Sequence, residues 1–349
     1  MLSRIEQLRA LLNNDEAVLI SGYPNIFYYS SFTSEDAYLL VSHNKLVIIT
    51  DSRYTIQAKQ QSPLFEVVDI KIGWKDIFKL FGEKYIGYEE YHLTVRHFNV
   101  LREKAGDKEF IPMQEKINSL RKIKDEVEIK LISQAEKIGD DAFKYILDRI
   151  KVGRTEREIA LELEFFMKKQ GATALSFETI CASGVRSAMP HGTASDKVIE
   201  NGDFLTLDFG CVFEGYCSDM TRTVVVGSAN DEQKEIYNTV LKAQTAALEA
   251  VLPNKKCSEI DAVAREIITN SGYGENFGHG LGHSVGIEIH EAPSFSPKCN
   301  DFLKAGNVLT VEPRIYIENF GGVRIEDLIV VTDDGHLNLT SSPKELIEL

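Results

Sequence analysis

The stretch Leu205-Thr206-Leu207-Asp208-Phe209-Gly210-Cys211-Val212-Phe213-Glu214-Gly215-Tyr216-Cys217-Ser218-Asp219-Met220-Thr221 reads as two apolar strands joined by a tight turn at Glu214-Gly215. With those two residues as the loop, Asp208 faces Thr221 across the ladder. Asp219 is then its diagonal neighbour on the same face, because strand side chains alternate with period two. Apolar neighbours on both sides of Asp208 predict a carboxylate withdrawn from water. Two such carboxylates at close range repel, and one must take a proton unless a cation lies between them.

A second pair of strands repeats the pattern. Val308-Leu309-Thr310-Val311-Glu312 and Val323-Arg324-Ile325-Glu326-Asp327 flank the loop Asn319-Phe320-Gly321-Gly322. The loop length leaves the register open, but any compact turn brings Glu312 and Glu326 together. A single acid in an apolar strand ordinarily marks an edge, a bulge or a salt bridge. Four of them in two hairpins of one domain need a shared counter-charge, and Arg324 can neutralise only one. A metal centre satisfies the electrostatics.

The histidines extend this centre. His279-Gly280-Leu281-Gly282-His283-Ser284-Val285-Gly286-Ile287-Glu288-Ile289-His290-Glu291 holds three of the chain's eight histidines, and Met189-Pro190-His191-Gly192 holds another. Histidines clustered beside glycine suit ligands or proton carriers with backbone close by. A lone loop histidine such as His191 is as often a solvated one.

The rest of the 349 residues supplies a frame. That length predicts two domains. Residues 17–20, 37–41, 46–50 and 65–68 read as strands, with helices over 52–61, 74–81 and 93–104. Residues 113–130 read as a charged linker running into a long helix, which puts the domain boundary near residue 120. Ile123, Val127, Ala135, Ile138, Ala142 and Ile146 form one apolar helical face. A capping box, Thr155 with Glu158, opens the next helix, which stops at Gly171. Further helices are expected over 231–251 and 258–271, and strands over 176–182, 203–212, 216–226, 285–290, 307–317 and 323–331. The net charge of −14 excludes the basic face that a duplex-binding protein wants. No apolar run approaches the ~18 residues of a membrane span, and the start of the chain has no signal-peptide pattern. Five cysteines, without a Cys-x-x-Cys, argue against disulfides and a thiolate zinc site. A cytoplasmic protein is expected.

In these blocks the chain resembles the pita-bread metallopeptidases, the family of aminopeptidase P, prolidase, methionine aminopeptidase and creatinase. His279 to Glu291 is similar throughout to the signature of the proline-peptidase branch. The blocks at Asp208 and Asp219, Val311-Glu312-Pro313 and Arg324-Ile325-Glu326-Asp327 match in order and spacing. The resemblance implies an α/β protein with a creatinase-like N-terminal α/β domain (1–120) and a pita-bread α+β catalytic domain (121–349). It implies that Asp208 chelates one metal, Asp219 and Glu326 bridge two, and His283 and Glu312 hold the other. It implies that His191 and His290 contact the substrate and stabilise the tetrahedral intermediate, that His279 lines the pocket, and that Arg324 and Tyr316 back the ligands and help bind substrate. Glu312 doubles as the proton shuttle. A homodimer acting on proline-containing short peptides, with neither nucleic acid nor membrane as partner, follows from the same likeness. Hard oxygen donors favour two Mn(II) ions, with Co(II), Zn(II) or Fe(II) tolerable. Proline has no N–H and a fixed φ, which calls for a specialised peptidase. The expected reaction is cleavage of the Xaa-Pro bond at the N-terminus of short peptides, as in aminopeptidase P; the alternative is an Xaa-Pro dipeptidase, or prolidase. A binding protein that has lost catalysis, or a metal-free creatinase-like hydrolase, would lack ligands, and none is missing. One residue departs from the family pattern: Arg314 follows Glu312-Pro313 where the family usually has glycine.

Overall fold

The computed structural model describes residues 2–349, which part between Arg121 and Lys122 into two compact units. The first contains α1 (Leu2–Ala10), β1 (Glu16–Ile20), α2 (Tyr23–Ser30), β2 (Ala37–Val41), β3 (Leu46–Thr50), α3 (Thr55–Gln61), β4 (Glu66–Asp69), α4 (Trp74–Lys79), β5 (Tyr85–Tyr88), α5 (Val95–Lys104), β6 (Glu109–Pro112) and α6 (Gln114–Ser119). Its mixed sheet runs β4-β3-β2-β1-β5-β6. The strands and helices expected from the sequence are β1 to β4 and α3 to α5. Helix α2 escapes a periodicity reading because its Tyr, Ile and Phe are strand formers; Pro24 in its first turn marks the start instead. The expected linker is not one. Over 114–119 the chain forms α6, with Ile117 buried and its carbonyl accepting from the Tyr29 hydroxyl at 2.7 Å.

The second unit contains α7 (Glu126–Leu147), α8 (Glu156–Lys169), β7 (Ala174–Leu175), β8 (Ile180–Ser183), β9 (Phe204–Phe209), β10 (Cys211–Phe213), β11 (Tyr216–Cys217), β12 (Met220–Val225), α9 (Asp231–Ala250), α10 (Cys257–Asn270), β13 (Gly282–Ser284), β14 (Glu291–Phe295), β15 (Val308–Val311), β16 (Arg314–Ile317), β17 (Gly321–Arg324), β18 (Asp327–Val331) and β19 (His336–Asn338). It is an α+β unit in which helices cover one face of each main sheet. Ile138 and Phe143 of α7 and Ile159 and Leu163 of α8 pack on Leu205, Leu207 and Phe209 of β9, in the sheet β12-β9-β8. Ile236 and Val240 of α9 and Ile260 and Ala264 of α10 pack on Leu309, Val311 and Ile329, in the sheet β14-β13-β15-β18-β19. The alternate residues, Thr206, Asp208 and Thr310, therefore turn away from the helices.

Helix ends follow their caps. The capping box of Thr155 and Glu158 forms, and Gly171 and Gly272 take positive φ (106° and 91°) where α8 and α10 stop. Helix α7 begins later than the apolar spacing implied, at a capping box of Asp125 and Glu128. Ile123 and Val127 are exposed as a result, and Glu128 takes the inward position, accepting from the Tyr216 hydroxyl at 3.0 Å.

The long strands expected from the sequence are broken. The run 203–212 parts into β9 and β10 at Gly210, and 216–226 parts into β11 and β12 at Ser218-Asp219. The run 307–317 parts at Glu312-Pro313, and 323–331 at Ile325-Glu326. The halves join different sheets. Where they cross, backbones nearly touch: a Cβ on Gly210 would sit 2.0 Å from the Ser218 carbonyl oxygen, and one on Gly282 2.0 Å from that of Thr310. Residues 285–290 are not a strand, because the backbone of Gly286 bonds Cys217 and Glu288 instead of a neighbouring ladder.

A buried ion pair pins the break at Glu326. Arg222 is 1% exposed and gives its donors to Asp327 Oδ1 (2.8 Å) and the carbonyls of Thr221, Glu326, Ser342 and Pro343. Asp327 also accepts from Gln244, Asn338 and Lys344. Removing one partner of such a pair strands the other, so Arg222→Met is expected to cost about 3–5 kcal/mol. Urea unfolding at constant m-value measures it; a loss under about 1 kcal/mol, the size of an exposed pair, would contradict this role.

Candidate active site

The first hairpin closes as its sequence predicts. Phe213 pairs with Tyr216 around Glu214 and Gly215, both at positive φ (48° and 85°), and Asp208 pairs with Thr221. Asp219 precedes β12, Glu312 follows β15 and Glu326 precedes β18, each at a strand break. A carboxylate at a break leaves the ladder and can turn into a pocket. All four acids and His283 line one cavity of about 380 Å³, with His191, His279, His290, Arg314 and Arg324. Ligand atoms of Asp219, His283 and Glu326 lie within 4.8 Å of one another. His283 Nε2 is 3.4 Å from Asp219 Oδ2 and 3.6 Å from Glu312 Oε1. Its Nδ1 is 3.2 Å from the Ser284 carbonyl oxygen, which can only accept. A proton on Nδ1 satisfies that contact and makes Nε2 the nitrogen that faces the carboxylates.

This cluster is electrostatically incomplete. Asp208, Asp219 and Glu326 are buried, and the Glu312 side chain is only 12% exposed. Burial, and then the charges of Glu326 and Asp208, push the Asp219 carboxyl well above the usual range. Burial and the charges of Glu312 and Asp208 do the same to Glu326. Burial also raises Asp208, against the pull of Arg324. For Glu312 burial is outweighed by Arg314, His283 and Arg324, and its carboxyl is lowered. Among the described residues, Asp208 Oδ1 and Glu326 Oε1 are buried oxygens with no hydrogen-bond partner. Orphaned carboxyl oxygens around an imidazole nitrogen are the donor set of a hard divalent cation, and the residues present fit one.

The surroundings hold these groups in place. Thr221 Oγ1 donates to Glu326 Oε2 (2.6 Å), and Thr310 Oγ1 to Glu312 Oε1 (3.3 Å) while accepting from the His283 amide (3.1 Å). Thr310 could be found in the sequence by the period-two rule, two positions from the acid it serves, whereas Thr221 serves an acid 105 residues away. Beneath Asp219 lies Glu136 of α7, fully buried, its carboxyl pushed up to about 8 by burial. It accepts from Thr340 and from the Asp219 amide, contacts that no local pattern announces. Arg324 donates to Asp208, to Thr221 Oγ1 and to the Tyr316 hydroxyl. The acid it neutralises is thus in the first hairpin, not the second. Tyr316 backs Arg324 and is not among the cavity's lining residues. Arg314 donates to Glu312 Oε2 at 2.6 Å and to the Gly280 carbonyl at 3.0 Å.

The histidines face the open side. His191, His279 and His290 are exposed, and the rings of His283 and His290 meet edge to face at 4.4 Å. Burial, then Arg314, lowers the pKa of His279; burial, then His283, lowers that of His290. The loop bearing His191 hangs from Glu156 of α8. That buried carboxylate accepts from the amides and hydroxyls of Ser183 and Ser195 and from Arg186. Phe177, Ile180, Ile289 and Phe295 supply apolar wall.

The model of metallopeptidase family M24 matches residues 130–333, the span carrying all of these acids and histidines, and that of the creatinase/prolidase N-terminal domain matches residues 4–123. The chain belongs to metallopeptidase family M24. The solved structure of the Xaa-Pro dipeptidase from Bacillus anthracis is 45% identical, with a TM-score of 0.96 over 100% of this chain and 99% of that one. The X-Pro aminopeptidase from Thermotoga maritima is 41% identical, with a TM-score of 0.92 over 99% and 100%. Among curated relatives, the Xaa-Pro dipeptidase of Pyrococcus horikoshii is 42% identical over 96% of this chain and 95% of its own. The peptidase thus has the two-domain α/β architecture of its family, a small N-terminal α/β domain before the pita-bread domain. Membership implies divalent cations, and this pocket is the candidate site for them.

Linkage gives a sign. Asp219 and Glu326 have folded-state pKa values above their unfolded ones, so their protonated forms stabilise the metal-free fold. That contribution is lost as pH rises from the ordinary carboxylate value of about 4 toward the raised values. A bound cation reverses the cost of ionisation. The gap in melting temperature between Mn(II)-loaded and chelator-stripped protein is therefore expected to widen as pH rises from about 5 to about 8. A gap that narrows over that range would contradict the assignment.

Proposed function

We propose that this peptidase is an Xaa-Pro dipeptidase that uses two divalent cations held by Asp208, Asp219, His283, Glu312 and Glu326. The observation that carries this reading is the convergence of these five donors on one cavity with orphaned carboxylate oxygens. When bound, the cations activate water and polarise the scissile carbonyl. Glu312 would take a proton from the attacking water and deliver it to the leaving prolyl nitrogen. His290 and His191, on the open side, donate to the oxygen that gains charge in the tetrahedral state. His279 lines the rim, and Arg324, with Tyr316 behind it, holds Asp208 in place. The apolar wall of Phe177, Ile180, Ile289 and Phe295 suits a pyrrolidine ring. Oxygen-rich donors favour Mn(II). The five cysteines, four of them buried and none in a disulfide among the described residues, suit the reducing cytoplasm.

Dipeptides are preferred here to longer peptides, which reverses the order that sequence alone suggested. The dipeptidases of B. anthracis and P. horikoshii match essentially the whole chain. Charge agrees with them. Four carboxylates against the guanidiniums of Arg314 and Arg324 leave two negative charges in the pocket, and two divalent cations overshoot these by two. A positive centre favours a substrate whose own carboxylate sits on the proline. The second reading, an aminopeptidase acting on Xaa-Pro-Xbb, is favoured by the T. maritima enzyme at 41% identity. The ratio of kcat/KM for Ala-Pro and Ala-Pro-Ala separates them, because it reports differential transition-state binding. The expected ratio is about tenfold or more in favour of the dipeptide, a gap of ~1.4 kcal/mol; a preference for the tripeptide would establish the second reading instead.

The histidine roles have a separate test. His290→Ala is expected to keep its full metal content and lose kcat by on the order of 10²-fold, as for other donors aimed at developing charge. Loss of metal from that variant, measured by atomic emission, would make His290 a ligand and overturn its role here.

A further inference from the structure

His290 ends a stretch that no strand ladder holds. Residues 285–290 form no strand, and the β13–β14 register breaks after His283 to resume with Ser284 opposite Glu291, the residue after His290. The Glu291 side chain turns back into this loop. Its Oε1 accepts from the Glu288 amide at 3.2 Å, and a Cβ on Gly286 would lie 2.6 to 2.7 Å from the carboxyl atoms. The absent side chain of Gly286 is thus the space in which that carboxyl sits. Its Oε2 accepts from Lys124 Nζ at 3.1 Å, and the Lys124 and Glu291 side chains are only 2% and 5% exposed. Lys124 is fixed in turn. Its amide donates to the Gly306 carbonyl at 2.8 Å, and the Lys122 carbonyl accepts from Asn307 Nδ2 at 2.8 Å. Lys122 Nζ pairs with Asp301 at 2.9 Å, and Asp125, the next residue along from Lys124, caps α7.

We propose that Lys124, acting through Glu291, is a positioning residue for His290: the buried ion pair fixes the loop so that the imidazole meets the substrate oxygen. This rests on the role given to His290 above. A buried ion pair is a weak source of stability, because desolvating both charges offsets most of their attraction. What this one supplies is direction. An apolar pair would fill the same volume without holding a carboxyl against the Glu288 amide and over Gly286. His290 needs that support, because its side chain is exposed and its placement follows from the backbone at Glu291. A misplacement of about 1 Å, caused far from the chemistry, lowers a rate on the order of 10²-fold. The first residues of the second unit therefore reach the reacting atoms through one charge pair, although Lys124 lies 167 residues from Glu291 in the chain.

The test is a double-mutant cycle in full-length, Mn(II)-loaded protein, using whichever of Ala-Pro and Ala-Pro-Ala the wild type cleaves faster. Lys124→Met keeps the aliphatic stem and removes the charge. Lys124→Met combined with Glu291→Gln removes both charges, so that no carboxylate is stranded if the single variant fails to fold; melting curves check each. Both are expected to keep full metal content and to lose kcat and kcat/KM together by on the order of 10–100-fold, the pattern of an interaction made in the transition state. Amide hydrogen exchange over residues 285–291 should speed up in both. In a His290→Ala background the same substitutions should lower kcat no further, because groups that act as one unit are not additive. An equal loss in both backgrounds would make the pair merely structural and overturn the inference, as would wild-type kcat in both variants, with the role of His290 left intact. Wild-type kcat in His290→Ala would overturn that role and the inference with it.

Discussion

Mutual repulsion among Asp208, Asp219, Glu312 and Glu326 is the constraint around which the second unit is organised. Four carboxylates on one small cavity cannot all be anions in a protein interior unless positive charge is supplied. The protein supplies part of it through Arg324 on Asp208 and Arg314 on Glu312, and leaves the inner pair, Asp219 and Glu326, to carry raised pKa values. Thr221 and Thr310 hold the carboxylates by single hydrogen bonds without neutralising them. The remaining deficit is the driving force for binding a cation, so instability of the bare site and affinity of the loaded one have a common origin.

The backbone solves a second problem, which is how to aim acids from apolar strands at a common point. A continuous strand would alternate its side chains and keep every carboxylate perpendicular to its own sheet. Breaking three of the strands beside Asp219, Glu312 and Glu326 lets the halves join different sheets and frees the acids from the ladder. The cost is close backbone approach, which glycine permits at Gly210 and Gly282. Behind the breaks, the ion pair of Arg222 with Asp327 and the carboxyl of Glu136 tie the loops to helices and to the chain's last segment. Away from the acid cluster, the loop of His191 is braced by Glu156 while His191 itself stays exposed.

Arg314 connects this electrostatic frame to function. Its guanidinium neutralises one negative charge in the pocket through Glu312 and gives a second donor to the Gly280 carbonyl. That leaves less negative charge for a cation to offset, which under the proposed reading suits an anionic dipeptide.

Much of this was legible in the sequence because it is local. Glu214-Gly215 dictates a two-residue turn, the turn dictates the register that sets Asp208 opposite Thr221, and alternation then separates the helix-facing Leu205 and Leu207 from the site-facing acids. Cap residues such as Thr155 and Glu158 likewise declare a helix start without help from the rest of the chain. The sequence could not show where the strands break, since Ser218-Asp219 and Ile325-Glu326 continue the apolar pattern and only competition between sheets for hydrogen bonds ends it. Nor could it assign Arg324 to Asp208 or place Glu136 beneath Asp219, because those partners lie 116 and 83 residues apart. Side-chain type and spacing determine which groups are available for chemistry. Which charge neutralises which is decided by distance in the folded chain, because a buried ion pair depends on separation in space and not along the sequence.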